Sequence, residues 1–232
     1  MKIQITGLFL LILIVGCSTP TKNMQVNVNV KGLKKGTLYL ERVEDSLIVA
    51  IDSFVVSREE NAVLGTNLKY SELFYVQLDR NNPGDKNNRI PFFGDQGEIT
   101  IHTTLDDYVT NAEITGSPTQ EVYRSYMRII NQFNNEELDL LAAYFNAQIN
   151  ENTDSLALLE KQSANLLKRK MLFTTNFAVN NANSVVAPYL ALSELSAAPK
   201  SLLDTIANTM SEDVASSRYG KLLVDYLSVL EK

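Results

Sequence analysis

The chain has 232 residues, with 21 Lys+Arg against 27 Asp+Glu, one histidine, one cysteine and no tryptophan. That acidic balance disfavours a nucleic-acid partner, because phosphate contacts need clustered Lys and Arg. The one basic run, Lys168-Arg169-Lys170, falls in a predicted helix and reads as a solvated face. A hydrophobic content of 45% fits a globular chain rather than a disordered one.

Lys2 supplies a thin basic start, and Ile3 to Val15 form an apolar run. Thirteen helical residues span about 20 Å, short of the roughly 30 Å hydrocarbon core, so a cleaved signal is expected rather than a spanning helix. Ile14-Val15-Gly16-Cys17 resembles a bacterial lipobox, and the polar stretch "STPTKN" after it suits a tether. The resemblance implies a signal peptide over 1–16, lipid on the sulfur and amine of Cys17, and a lipidated tether over 17–23. More than one acyl chain is implied, which anchors stably where a single chain does not. Cys17 would then be spent on lipid, leaving no thiol for a disulfide, a CxxC pair or a nucleophile. Residues 1–16 hold one base and no acid, so the chain beyond them carries 20 basic and 27 acidic residues, a formal charge of −7.

From Met24 the pattern is β. In "MQVNVNV", Met24, Val26, Val28 and Val30 take one face and Gln25, Asn27 and Asn29 the other, the period of a half-buried strand. "KGLKKG" is a turn, and "TLYLERV", "SLIVAIDSFVV", "SELFYVQL", "IPFFG", "EITIHTT" and "NAEITG" continue as short strands between Gly, Asn and Asp turns. The region "SREENAVLGTNLKYSE" has no clear assignment. This spacing predicts an antiparallel β-sandwich or partly open barrel over 24–116.

The period then changes. In "GSPTQEVYRSYMRII", Ser117 is placed as N-cap, Pro118 at N1 and Gln120 at N3 of a capping box. Val122, Tyr126, Ile129, Ile130 and Phe133 follow at helical spacing, and Leu138, Leu141, Phe145 and Ile149 extend the stripe. A second helix is expected from about Asp154 to Val179, and shorter ones after Pro188, after Pro199 and around Tyr219 to Leu230. The predicted class is therefore α+β: an N-terminal β domain over 24–116 and an α-helical region over 117–232.

The search for chemistry is mostly negative. His102 is the only histidine, and it faces away from Ile99 and Ile101 on its strand, as a sheet-surface residue does. A serine triad and a histidine-based zinc site lack their partners. Glycine-rich phosphate loops and the nucleophile elbow are absent from the sequence. "DRNNPG" at Asp79 to Gly84 approaches a calcium loop, but position 5 is Pro83 and position 12 is Ile90, so ordinary turn chemistry is the better reading. Glu59-Glu60, Asp106-Asp107 and Glu136-Glu137 are neighbours in sequence, and neighbouring side chains point in different directions. No catalytic, metal or cofactor-binding residue is assigned, and no cofactor is expected.

"VKGLKKGTLYLERV", "AIDSFVV", "FFGDQGEITI" and "NAEITGSPTQEVYRSYMRII", followed by "NSVVAPYLAL" and "SSRYGKLLVDYL", resemble envelope lipoproteins of Bacteroidota. Their N-terminal β domain is known as the domain of unknown function 4369. Many such proteins continue into a thioredoxin-like disulfide reductase domain with a CxxC pair. This sequence ends at Lys232, about where that domain is expected, and has no cysteine after Cys17. The resemblance thus implies architecture and compartment, not the redox activity. The expected function is a non-enzymatic, lipid-anchored binding or interaction module. The expected partners are the membrane, through lipid on Cys17, and an envelope protein or glycan. The alternative is an accessory part of a thiol–disulfide reductase system whose thioredoxin domain is encoded separately. No acidic run follows Cys17, so the periplasmic face of the outer membrane is favoured over the cell surface. Asp45-Ser46-Leu47, Asp154-Ser155-Leu156 and Asp204-Thr205-Ile206 match a short O-glycosylation pattern of that group, too short to carry weight.

Overall fold

The computed structural model describes residues 22–58, 61–79 and 88–230. The expected leader, Cys17, most of the tether, Glu59-Glu60 and the loop after Asp79 lie outside them. Eight strands are described: β1 (Met24–Lys31), β2 (Gly36–Glu44), β3 (Leu47–Val56), β4 (Ala62–Thr66), β5 (Glu72–Asp79), β6 (Arg89–Gly94), β7 (Gly97–Thr104) and β8 (Glu113–Thr115). Six helices follow: α1 (Pro118–Ile149), α2 (Thr153–Asn180), α3 (Val186–Ser193), α4 (Lys200–Thr209), α5 (Glu212–Ser216) and α6 (Arg218–Val229).

The strands form two four-stranded sheets, ordered β4-β1-β7-β8 and β3-β2-β5-β6. The α+β sandwich expectation holds, and no closed barrel forms. Met24, Val26, Val28 and Val30 all turn inward, as their alternation requires, and meet Leu40, Phe74, Val76 and Phe92 of the second sheet. One pairing departs from an all-antiparallel plan: β1 runs parallel to β7, Met24 beside Gly97 through Lys31 beside Thr104. Alternation says which face a residue takes but is blind to the partner's direction, which here is set by where the chain re-enters the sheet after β6. The unassigned stretch supplies β4, an edge strand antiparallel to β1. Asp45 and Ser46 form the two-residue tip between β2 and β3, both at positive φ, which suits the twist of a tight hairpin.

The chain enters α1 through Gly116, at φ +89, where a Cβ would stand 2.2 Å from the carbonyl oxygen of Glu98. Ser117 then caps the helix, accepting the Gln120 N–H at 3.0 Å. α1 and α2 form a long antiparallel hairpin, of about 48 Å and 42 Å at 1.5 Å per residue. A helical core of Ala178, Ala187, Ala191, Leu203, Ile206 and Leu223 joins the C-terminal part of α2 to α3, α4 and α6.

Candidate interaction surface

Among the described residues, the groups capable of chemistry do not converge. His102 is exposed on the outer face of the first sheet, in register with Asn29 of β1 and Glu113 of β8. Asp106 and Asp107 sit in the turn after β7, while Glu136 and Glu137 lie on α1 and pair with Arg169 at 3.0 Å and Lys170 at 3.2 Å. Among the described residues, no group of three His, Cys, Asp or Glu is placed to hold a metal. Cys17 and the loop beginning at Arg80 fall outside the described residues. A cleft of about 600 Å³ opens between sandwich and helices, lined by Tyr70, Gln96, Thr119 and Asp213 among others. Ser71 Oγ and Ser117 Oγ near it both donate to Asp95, and Ser184 Oγ accepts the Val186 N–H at 3.3 Å. The single histidine, His102, is not among the residues lining it.

Asp95, in the tight turn between β6 and β7, is the hinge pin of the architecture. Its carboxylate accepts Ser117 Oγ at 2.7 Å, Thr119 N–H at 2.9 Å, Thr119 Oγ1 at 2.7 Å and Ser71 Oγ. The charge sits at the start of α1, where the helix dipole favours an anion. Gln120 departs from the expected capping box. Its side-chain oxygen accepts the Phe93 N–H at 2.8 Å instead of closing back on Ser117. β6 is an edge strand, so that N–H needs a partner from outside the sheet, and the helix supplies it. Sequence reading placed Gln120 in a local role, and nothing in its spacing reports the bond to Phe93. On the neighbouring strand, Tyr219 of α6 accepts the Leu73 N–H at 3.1 Å.

Between these pins lies an aromatic ladder. Phe93 meets Tyr123 and Tyr189 at 5.1 Å between ring centres; Tyr126 meets Phe177 at 5.3 Å and Phe173 at 5.9 Å; Phe173 meets Phe133 at 5.6 Å. Tyr126 is fully buried and shares a hydrogen bond with Thr174 at 3.0 Å. Burial raises the Tyr126 phenol to about 12, despite the Thr174 bond. Burial likewise raises Tyr219 to about 12, with Leu73 acting against it, and pushes Tyr189 further up. The ladder ends at Phe133, where the Arg169 guanidinium stands 5.4 Å from the ring centre.

Past that point the hairpin changes character. On α1 beyond Phe133 only Ala147 is buried, and on α2 before Met171 only Leu166. The inward face of this distal arm is carried by Leu140, Tyr144 and Ala147. The expected stripe of Leu138, Leu141, Phe145 and Ile149 is exposed instead. With 3.6 residues per turn, these four lie about a third of a turn around α1 from Val122, Tyr126, Ile130 and Phe133. The apolar stripe slips round the helix, and the slip turns it from the core to solvent. Tracking phase, rather than only spacing, is the signal that finds it. Leu141, Tyr144, Leu166 and Leu167 border an apolar groove of about 520 Å³ between the helices, with Glu137, Glu160 and Lys170 at its rim.

A comparison with known families now bears on the body of the molecule. Residues 24–123 match the domain of unknown function 4369, DUF4369. The DUF4369 segment comprises the whole sandwich, the Asp95 pin and the first turns of α1 through Tyr123. The distal arm, Leu138 to Leu167, lies C-terminal to it. No curated protein and no solved structure matches the chain.

Proposed function

We propose that this is a non-enzymatic, lipid-anchored protein of the bacterial envelope that works by binding, and that the distal α1–α2 arm is its docking surface. One observation carries the docking surface. The segment Leu138–Ile149 contains a single charged residue, Asp139, and has apolar side chains on two faces, only one of which packs on α2. A helix apolar on all sides belongs in an interior, so the second face wants a cover. The sequence Ile14-Val15-Gly16-Cys17 supports the anchor, the resemblance to Bacteroidota lipoproteins supports the envelope, and the polar, non-acidic stretch after Cys17 supports the periplasmic face of the outer membrane.

The test is crosslinking of the lipidated protein in its native envelope, with wild type beside a variant carrying Leu141→Glu and Phe145→Glu. A partner recovered by wild type and lost from the variant is the expected result; equal recovery from both overturns the docking surface. Palmitate labelling abolished by Cys17→Ala supports the anchor, and persistent labelling refutes it. The resemblance to Bacteroidota lipoproteins favours one narrower reading, in which the partner is a separately encoded thioredoxin-like protein. A CxxC protein in the crosslinked product would select it.

A further inference from the structure

We infer that the cover over the distal arm is a second copy of this chain, the two α1–α2 hairpins closing into a four-helix bundle about a two-fold axis. This inference rests on the docking surface proposed above and names its occupant.

The exposed stripe is close to symmetric about its own midpoint. Leu138, Leu141, Phe145 and Ile149 are separated by three, four and four residues, so a copy running antiparallel sets Leu141 against Phe145 and Leu138 against Ile149. A two-fold interface requires such self-complementarity, the same patch serving both copies. The stripe itself carries no charge. Two copies of an acidic chain therefore bring no charged side chain of the stripe together, and the nearest charges, Glu137, Glu160 and Lys170, are of both signs.

Area agrees. Leu138 is 63% exposed, Leu141 48%, Phe145 52%, Ile149 79% and, beside them on α2, Leu167 58%. Together these five present on the order of 600 Å² of apolar surface per copy, close to the roughly 800 Å² per partner buried in a standard specific interface once the helix backbones and flanking polar residues are added. The arm also has the reach. Residues 134–149 extend about 24 Å past the last ring of the aromatic ladder, so antiparallel arms overlap while their bodies stand at opposite ends. A lipid surface fits less well, because the groove's rim is mixed, with Glu137 and Glu160 against Lys170, whereas membrane-lying helices favour a predominantly basic rim.

The experiment is sedimentation equilibrium of the lipidated full chain in density-matched detergent, with micelles in excess so that two anchors do not share one by chance. Two chains per complex are expected for wild type and one for the variant with Leu141→Glu and Phe145→Glu. Unchanged far-UV circular dichroism and a cooperative melt confirm that the variant is folded, its midpoint falling as pairing is lost. A second variant, Leu138→Lys with Ile149→Lys, attacks the ends of the stripe and is also expected to give single chains. A single-chain wild type overturns the inference, as does a variant that folds and remains paired. If wild type is a single chain yet its envelope crosslinks to a different protein through Leu141 and Phe145, self-association falls and the docking surface stands. If it is a single chain and crosslinks to nothing there, both fall.

Discussion

The two halves of the α1–α2 hairpin share one pair of helices, one hydrogen-bonding pattern and nearly the same apolar content, yet they are built for opposite ends. The proximal half, from Pro118 to Phe133 and from Met171 to Asn180, is pinned to the sandwich by Asp95 and Gln120 and filled with stacked rings. The distal half packs only one helix against the other and turns its leucines outward. The difference lies in the phase of the apolar residues. Where the stripe faces the sandwich it becomes core; where it drifts a third of a turn it becomes surface. Secondary structure can run unbroken through a change of role.

Breaking the proximal half has the largest expected effect. Tyr126→Ala removes a fully buried ring and its bond to Thr174, and is expected to cost about 3–5 kcal/mol in denaturant unfolding. A cost under 1 kcal/mol would mean that the ladder does not hold α1 to the body. Asp95→Ala comes next. It strands the Thr119 N–H and three hydroxyls at the start of α1, for about 2 kcal/mol and a fall in melting temperature of about 4–8 °C. Asp95→Asn, which keeps an acceptor, should recover part of that loss.

Alkaline titration probes the burial of the rings that hold the proximal half to the body. Tyr126 and Tyr219 are held neutral by burial, at about 12 in the folded state against about 10 when unfolded. The unfolded chain therefore releases these protons first. The stabilisation they contribute is complete below pH 10 and is lost as pH rises towards 12. Absorbance at 295 nm should show Tyr126 and Tyr219 ionising only as the fold gives way. A single step near 10 with the fold intact would contradict the burial. The smallest effect on stability belongs to the distal arm. Leu141→Glu with Phe145→Glu should shift unfolding of the isolated chain by no more than about 0.5 kcal/mol, since both side chains already face water. A large loss there would place those residues in a core.

The sequence by itself determined the two-layer β domain, the switch of period at Gly116–Ser117 and the two long helices. These are local properties: alternation reports a half-buried strand, and a serine before a proline at a helix start reports a cap. Strand direction was out of its reach, because period two is the same beside a parallel or an antiparallel neighbour, and β1 lies parallel to β7. Gln120 shows the same limit in one residue. Its place at N3 was legible, but its bond went to Phe93, 27 positions back, because an edge strand had an N–H to satisfy. The chemical negatives came from composition: one histidine and one cysteine leave little to assemble. Only the tertiary structure decided which apolar residues are core and which are surface on α1. Burial is a relation between elements, and the sandwich and the α3–α6 layer cover the proximal turns of the hairpin without reaching the distal ones.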